Sequence, residues 1–360
     1  MIAVPTSTKD KKSRLITLDY LRGFFIVVII IDHFSRWPSI LGLLSGKALL
    51  WVTAAEGFVA ISGLLVGYVR GYKNRTLPFK DVSFKLLKRA GLLYLWSLIA
   101  SVAYVAVIWY LPLDGGAPST PMAVGDWATF LTQLVTMQYT FVWVHFLTLY
   151  ALFLAASPIA IWLLRRGFAW IVGLLSFALL ALGWATHSEA LQWQFLFFIP
   201  AIVGYYLTNI LNWWHDLTKG KRVAIAASSV GLTAITIIIS TVLAFYAQGF
   251  QDVANQVNML FAKDSISLLR AATAFLWFTG FMFVFYALRH VIAKYLNWLL
   301  LPIGTHSLTA YILHGVALVI ISLLTVSSES NIFNTLLGLA AILIVWILLK
   351  IPFVRRVIPA

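Results

Sequence analysis

The chain contains no cysteine and very little charge for its length. Without cysteine there are no disulfides, no thiolate nucleophile and no cysteine-ligated zinc site. Only 11% of the 360 residues are Asp, Glu, Lys or Arg, whereas 61% are hydrophobic. A water-soluble domain could not cover its surface with so few charged groups, and the composition therefore predicts an integral membrane protein.

The sequence also lacks the short motifs of familiar soluble enzymes. It has no glycine-rich phosphate loop, no HExxH zinc motif and no GxSxG nucleophile motif. No repeat, low-complexity tract or interdomain linker divides the chain, so we expect one transmembrane domain over residues 1–360. The formal net charge of +14 is spread over loop ends between apolar runs, which argues against nucleic acid as a partner.

Ten apolar runs have the length of a membrane-spanning helix or come close to it. They cover residues 16–34, 48–69, 90–111, 142–164, 168–186, 191–213, 223–246, 267–288, 297–324 and 332–350. With the N-terminus in the cytoplasm, alternating crossings put 22 of the 26 Lys and Arg residues at cytoplasmic ends, including a basic tail over residues 1–14. This asymmetry follows the positive-inside rule. We therefore predict an all-α polytopic membrane protein with about ten transmembrane helices and both termini in the cytoplasm.

Two outer segments are too short or too polar to be further crossings. Residues 127–140 are apolar but interrupted by Thr and Gln, which predicts an interfacial or re-entrant helix. Residues 248–265 contain no proline and predict a short amphipathic helix.

Four ionisable residues interrupt the first apolar run: Asp19, Arg22, Asp32 and His33. Arg22 and His33 are separated by about three helical turns, so both side chains share one helix face. Polar groups in a spanning helix face protein or water rather than lipid, and they indicate a functional site. The alternative, open above all for the two acids, is a helix-end charge whose side chain reaches the headgroups.

The second apolar run carries a buried acid. Glu56 lies at a depth comparable to that of His33 on the preceding helix. A carboxylate that meets an imidazole can orient it and raise its basicity, so we expect Glu56 and His33 to form a proton-handling couple. The same helix carries small residues that predict a surface where another helix packs closely: Gly57, Ser62, Gly63 and Gly67.

Further polar candidates lie in the later helices and at their outer ends: His145, Gln194, Arg270, His306, Ser307 and His314. Ser307 and His314 are seven residues apart and share one helix face. Each histidine could line a pathway or simply cap a carbonyl group. Arg270 lies on the outer side against the charge rule, which suggests binding of an acidic or hydroxyl-rich acceptor.

A dense basic cluster, Lys80, Lys85, Lys88 and Arg89, precedes the third run. Anionic lipid headgroups are one partner for such a cluster. Together with Arg22, the cluster could instead bind the phosphates of a nucleotide-bearing donor.

Five stretches of the chain resemble, in order, the landmarks of the OpgC family: LDYLRGFFIVVIIIDH, AAEGFVAISGLLVGY, LQWQFLFFIPAIVGYYL, KDSISLLRAATAFLWF and LLPIGTHSLTAYILHG. That family is named for succinyl transfer to osmoregulated periplasmic glucans, and it is similar to the wider group of acyltransferase-3 proteins. In that group a first-helix Arg followed eleven positions later by His is central, and Arg22 and His33 have this spacing. Asp32 departs from the pattern, because OpgC-like chains tend to have Asn there, and His145 stands where we expect an acid.

The resemblance implies that His33 is the catalytic imidazole and that acyl-CoA from the cytoplasm is a co-substrate, with no tightly bound cofactor and no metal. Together with the residue-based candidates, the expected catalytic residues are His33, Glu56 and Asp32. The expected donor-binding residues are Arg22, Asp19, Lys85, Lys88 and Arg89. The expected acceptor-binding residues are His306, Ser307, His314, Arg270, Gln194 and His145.

The expected function is transfer of an acetyl or succinyl group from acyl-CoA to a hydroxyl of an extracytoplasmic glycan or glycolipid. The expected location is a bacterial cytoplasmic membrane, in contact with membrane lipids, and the oligomeric state stays open. Transfer could be direct, with His33 as general base, or could pass through an acyl-imidazole. The alternative functions are a proton-coupled transporter or flippase and a structural membrane partner without chemistry.

Overall fold

A computed structural model describes residues 8–113, 118–262 and 265–358, with side chains described from residue 16 onwards. Within these ranges the chain is helical and contains no β-strand, which confirms the all-α prediction. The first seven residues of the predicted basic tail, and the side chains of the rest of it, lie outside the described part of the chain.

The helices are α1 (Thr8–Phe34), α2 (Ile40–Ser45), α3 (Ala54–Leu65, continued by a π-helical segment, Val66–Lys73), α4 (Phe79–Tyr110), α5 (Trp127–Val135), α6 (His145–Arg165), α7 (Ala169–Thr186), α8 (Glu189–Trp193), α9 (Phe195–Tyr205), α10 (Leu207–Asp216), α11 (Lys219–Phe245), α12 (Gln251–Met259), α13 (Leu268–Ala287), α14 (Arg289–Tyr295), α15 (Asn297–Thr305), α16 (Ser307–Leu324), α17 (Asn331–Leu348) and α18 (Pro352–Val357). Several begin at a capping side chain. The side chains of Asp126, Ser267 and Ser330 accept the backbone N–H three residues later at 3.1, 3.0 and 3.3 Å. Such caps satisfy N–H groups that a helix start leaves without an intrahelical partner.

The chain divides into two compact units. Unit 1 comprises Met1–Phe25, Ala48–Lys85 and Ala156–Leu301, and unit 2 comprises Ile26–Lys47, Leu86–Ala155 and Pro302–Ala360. The segments of the two units alternate along the chain, and α1, α4, α6 and α15 each contribute residues to both.

The tightest helix pair in unit 1 is α3 against α9. A Cβ atom at Gly63 would lie 2.0 Å from the carbonyl oxygen of Phe197, and one at Gly67 would lie 1.9 Å from that of Ala201. The backbones therefore touch at positions where only glycine fits, as the small-residue pattern of α3 predicts.

Unit 2 contains the C-terminal part of α1, most of the long α4, the start of α6, and α16 with α17. Its most buried helix is α16, in which Ala310, Tyr311 and His314 are at most 1% exposed. The segment after α1 is attached to α17 by Asn334, whose amide nitrogen donates to the carbonyl of Pro38 at 2.9 Å. This contact joins the segment after α1 to α17 within unit 2.

Among the described residues, seven helices are long and apolar enough to cross a membrane: α4, α6, α7, α11, α13, α16 and α17. The stretch Glu189–Tyr205 with α10 is an eighth candidate, bent by 62° at its break. Each of the ten predicted runs contains helix, and the apolar helices support a membrane protein. The count of ten crossings and the cytoplasmic termini stay predictions.

Two runs differ in detail from their expected bounds. The second run becomes helical only at Ala54, because Lys47 and Ala48 have left-handed backbone with φ of 50° and 54°. The run over residues 297–324 is divided at His306, which separates α15 from α16. Both outer segments contain the short helix expected of them, α5 and α12.

Candidate active site

His33 and His314 form a hydrogen-bonded pair in unit 2. Nδ1 of His33 lies 2.8 Å from Nε2 of His314, and the two ring centroids are 4.9 Å apart. His314 is fully buried, whereas His33 is partly exposed. The two residues are 281 positions apart in the chain, and the fold brings them together near the end of α1 and within α16.

The second nitrogen of His314 is also engaged. Its Nδ1 contacts the backbone carbonyl oxygen of Tyr311, one turn earlier in α16. The Tyr311 ring packs beside the His314 ring with centroids 5.1 Å apart, and Phe146 of α6 packs edge-on against Tyr311 at 6.5 Å. His314 is therefore fixed on both ring nitrogens and along one face.

Tyr104 of α4 contacts the turn of α16 that carries His314. Its hydroxyl donates to the carbonyl of Ile312 at 2.5 Å, and its ring packs edge-on against Trp143 with centroids 5.5 Å apart. Gly315 permits this approach, since a Cβ there would lie 2.5 Å from Cζ of Tyr104. No sequence motif pointed to Tyr104; the glycine directly after His314 is the only local sign of a close neighbour.

Arg36 attaches the end of α1 to the end of α16. Its guanidinium donates to the carbonyls of Thr325 and Val326 at 3.0 and 2.9 Å, and it is 7% exposed. No sequence motif pointed to Arg36. Its charged side chain donates to two carbonyl groups just beyond the end of α16, which would otherwise lack an intrahelical donor.

Glu56 is paired with Arg270 in unit 1. Oε1 of Glu56 accepts from Nε of Arg270 at 2.8 Å and from its Nη2, and Oε2 accepts the backbone N–H of Thr53 at 3.0 Å. Glu56 and Arg270 are 0% and 1% exposed. Nη1 of Arg270 donates to the carbonyl of Phe261, so the arginine also holds the segment that follows α12.

This ion pair has consequences for both residues. A buried charge is tolerated when it is paired and hydrogen-bonded, and both oxygens of Glu56 meet that condition. The contacts of Glu56 and Arg270 are those of a structural pair. The expectation that Glu56 orients His33 and the expectation that Arg270 binds the acceptor stay predictions.

The donor candidates fall on two helices. In α1, Asp19 and Arg22 are partly exposed and attract each other electrostatically, and the Arg22 guanidinium lies 5.9 Å from the Phe58 ring centroid. In α4, Lys85 and Lys88 are exposed, and Arg89 beside them is partly exposed. Their spacing over one turn places these three cations on one side of α4, where phosphates can reach them.

The remaining candidates have varied surroundings. Ser307 is 2% exposed, and His306 before it contacts Thr305 Oγ1 at 3.1 Å through Nδ1. His145 is partly exposed at the start of α6, and Asp32 is partly exposed beside His33.

The amide of Gln194 joins two helices of unit 1. Its Oε1 accepts from the Ser176 hydroxyl at 2.8 Å, and its Nε2 donates to the Ser176 carbonyl at 2.8 Å. Gln194 is 4% exposed, so its polar atoms serve the packing of α7. Of the expected site residues, His33 and His314 are those that the structure joins by a side-chain hydrogen bond within unit 2.

A comparison with protein families bears on all these residues. The family model described as OpgC protein matches residues 14–353. No curated protein and no solved structure matches the chain. Because the family match covers nearly the whole chain, from Arg14 in α1 to the start of α18, and includes both histidines of the pair, this chain belongs to the OpgC family.

Proposed function

We propose that this chain transfers an acetyl or succinyl group from cytoplasmic acyl-CoA to a hydroxyl of an extracytoplasmic glycan or glycolipid. Membership of the OpgC family indicates a transferase of the glucan-modifying acyltransferase type. The observation that carries the proposal is the pair of histidines in unit 2, in which a partly exposed imidazole is supported by a fully buried one.

His33 acts as the general base in this proposal. It takes the proton from the acceptor hydroxyl as the oxygen attacks the thioester carbonyl. The tetrahedral intermediate then expels the CoA sulfur, which receives that proton from the imidazolium, and the new ester leaves the site. A route through an acyl-imidazole would use the same residue as nucleophile and would release CoA before the acceptor binds.

The donor binds through its phosphates. Lys85, Lys88 and Arg89 offer three cations on one side of α4, and charged N–H donors bind phosphate oxygens strongly. Arg22, with Asp19 beside it, is the further donor-binding candidate carried by α1. Acyl-CoA is a co-substrate here, and neither a tightly bound cofactor nor a metal has a role in the proposed steps.

The acceptor binds to polar side chains on the outer side of the membrane. His306, Ser307 and His145 are the candidates whose contacts leave this role open. Gln194 and Arg270 were expected to join them, but their hydrogen bonds to Ser176, Glu56 and Phe261 favour a structural role. Asp32, directly before His33, is the acid best placed in the sequence to influence the base.

The proposal places the protein in a bacterial cytoplasmic membrane with ten crossings and both termini in the cytoplasm. Seven apolar helices among the described residues support a multi-pass arrangement. Two cations that lie over aromatic rings also support a membrane–water interface. Arg166 is 4.2 Å from the centroid of the Trp162 ring, and Lys350 is 4.9 Å from that of the Trp346 ring. Amphipathic pairs of this kind are enriched where a membrane meets water.

The test measures release of free CoA by purified protein in lipid nanodiscs with acetyl-CoA or succinyl-CoA and a glucan acceptor. We expect turnover by the wild type and its loss in His33→Ala. His290→Ala is the matched control, because His290 is an exposed histidine of α14. If no donor and acceptor gave turnover and proteoliposomes showed proton-driven solute uptake, the acyltransferase proposal would be rejected in favour of a transporter.

A further inference from the structure

The positions of the protons on the two paired rings follow from their partners. A backbone carbonyl oxygen can only accept a hydrogen bond, so Nδ1 of His314 must carry a hydrogen to bind the Tyr311 carbonyl. A neutral imidazole has one N–H, and an imidazolium has two. Charging His314 in a fully buried position beside a second imidazole is costly, so the neutral form is favoured.

Neutral His314 therefore presents a lone pair at Nε2. The facing atom, Nδ1 of His33, lies 2.8 Å away and must donate its hydrogen to that lone pair. The single hydrogen of neutral His33 is then on Nδ1, so its Nε2 carries a lone pair and no hydrogen. That nitrogen is the atom that can accept a proton from a hydroxyl.

We propose that His314 is a positioning residue that holds His33 in the tautomer with a basic Nε2. This inference rests on the proposed acyl transfer and assigns His314 a role different from the acceptor contact expected from the sequence. The chain of donors runs from His33 Nδ1–H to His314 Nε2, and from His314 Nδ1–H to the Tyr311 carbonyl. A serine protease uses an aspartate in this position for the same purpose.

The neutral acceptor suits an apolar environment. When His33 takes a proton, its hydrogen bond to His314 becomes charge-assisted and strengthens by about a factor of two. The strengthening occurs as the transition state forms, which is when it lowers the barrier. A neutral imidazole provides it without a second fixed charge in the buried part of unit 2.

Two variants of similar length separate hydrogen bonding from packing. His314→Gln keeps an acceptor oxygen near the position of Nε2, whereas His314→Met removes the acceptor and keeps the bulk. We expect His314→Met to lower kcat by about 10²- to 10⁴-fold, the range seen when a base loses its orienting partner. The KM for acyl-CoA should stay within about twofold, and His314→Gln should retain kcat within about tenfold of wild type.

The outcomes distinguish this inference from the proposed function. If the wild type releases CoA and His33→Ala does not, but His314→Met matches wild type, the positioning role is wrong and acyl transfer stands. If Gln and Met variants lose activity equally while melting like wild type, hydrogen bonding is not the reason, and the inference also fails. If the wild type shows no turnover with any donor, both the acyl transfer and the positioning role of His314 are rejected.

A second measurement does not depend on the variants folding. Ring ¹⁵N chemical shifts of histidine-labelled wild type report which nitrogen carries hydrogen, with His33→Ala and His314→Gln used only to assign the signals. We expect N–H at Nδ1 and a bare Nε2 in both rings of the resting protein. A hydrogen on Nε2 of His33 would overturn the inference.

An independent feature of unit 1 is an apolar cavity of about 250 Å³. One wall is a stripe of α10 with helical spacing, Leu207, Ile210, Leu211 and Trp214. Phe283 and Tyr286 of α13 line another part. Ile210 is 37% exposed, so the cavity opens at the protein surface.

A cation lies beside Tyr286, one of the residues that line this cavity. The Arg289 guanidinium is 4.4 Å from the centroid of the Tyr286 ring, and its Nη1 donates to the Tyr286 carbonyl at 2.8 Å. Arg289 is partly exposed, and its other N–H groups are able to bind an anion. An apolar cavity with one fixed cation beside a residue of its lining matches a molecule with an alkyl chain and a phosphate.

We propose that this cavity binds one acyl chain of an anionic phospholipid, with the lipid phosphate on Arg289. The test places purified protein in nanodiscs of phosphatidylcholine and phosphatidylglycerol at 3:1, then extracts it in detergent and counts retained lipids by native mass spectrometry. We expect one retained phosphatidylglycerol per chain in the wild type. Arg289→Gln should lose it, and Leu211→Trp should lose it by filling the cavity.

Arg166→Gln is the matched control. Arg166 also lies over an aromatic ring, Trp162, at 4.2 Å, but Trp162 does not line this cavity, whereas Tyr286 does. Its substitution should leave the retained lipid unchanged. Equal retention of phosphatidylcholine and phosphatidylglycerol would overturn the role of Arg289, and no retained lipid, or retention unaffected by Leu211→Trp, would overturn the site.

Discussion

The hydroxyl of Tyr104 donates a 2.5 Å hydrogen bond to the backbone carbonyl of Ile312, two residues before His314. The contact fixes α4 against the turn of α16 that carries the buried imidazole. Tyr104 can approach so closely because Gly315 has no side chain. The geometry of the histidine pair thus depends on an aromatic residue that touches neither ring nitrogen.

Replacement of that glycine should disturb the histidine pair. In Gly315→Ala the new Cβ would lie 2.5 Å from Cζ of Tyr104, so the ring or the helix must shift. We expect the rate of CoA release to fall by at least about tenfold, since small displacements of a positioned base are costly. Gly231→Ala in α11 is the control, because nothing lies within 4 Å of its new Cβ. Equal rates in the two variants would contradict the prediction.

The buried pair of Glu56 and Arg270 should contribute to stability rather than chemistry. Arg270→Met leaves the Glu56 carboxylate buried without its charged partner, and we expect a loss of about 3–5 kcal/mol in the free energy of unfolding. Thermal unfolding in detergent measures the effect. The double variant Glu56→Leu, Arg270→Met should recover much of the loss, because it removes both charges. A single variant as stable as wild type would show that the pair is not structural.

The cations of α4 should act on donor affinity. Substituting Lys88 and Arg89 together by Gln removes two positive charges from exposed or partly exposed positions, so we expect the KM for acyl-CoA to rise with little change in kcat. The difference from wild type should shrink at high salt, because salt screens exposed charges.

The control for this prediction is the double Gln variant of Arg355 and Arg356 in α18, which removes the same charge elsewhere. Initial rates over a range of acyl-CoA concentrations give both constants. If the α18 variant raises KM equally, the effect is one of net charge. If kcat falls and KM does not, the α4 cations do not serve to bind the donor phosphates.

Much of the architecture was predictable because it depends on local patterns. Apolar runs of spanning length predicted where helices form, an apolar stretch interrupted by Thr and Gln predicted α5, and a proline-free segment predicted α12. The glycines of α3 predicted a close helix neighbour, and Gly63 and Gly67 do contact the α9 backbone. The family resemblance was confirmed by a match over residues 14–353.

The pairing of polar side chains was less accessible. Depth along consecutive helices suggested that Glu56 meets His33, which stays a prediction, but depth did not indicate the hydrogen bonds of Glu56 to Arg270 and Thr53. A residue's depth follows from its position in a helix, whereas its neighbour depends on helix order and rotation about the helix axis. A single sequence does not show directly how the helices are ordered in space or how each is rotated about its axis.

The sequence by itself determined the apolar helices, their approximate bounds and the family. It also singled out the imidazole of His33 as the expected catalytic group. These follow from composition and from periodicity over a few turns, which act locally. Only the tertiary structure decided that His314 supports His33 and that Arg270 neutralises Glu56, across 281 and 214 residues of chain. The physical reason is that a buried polar atom needs a partner, and packing of distant helices determines which one it meets.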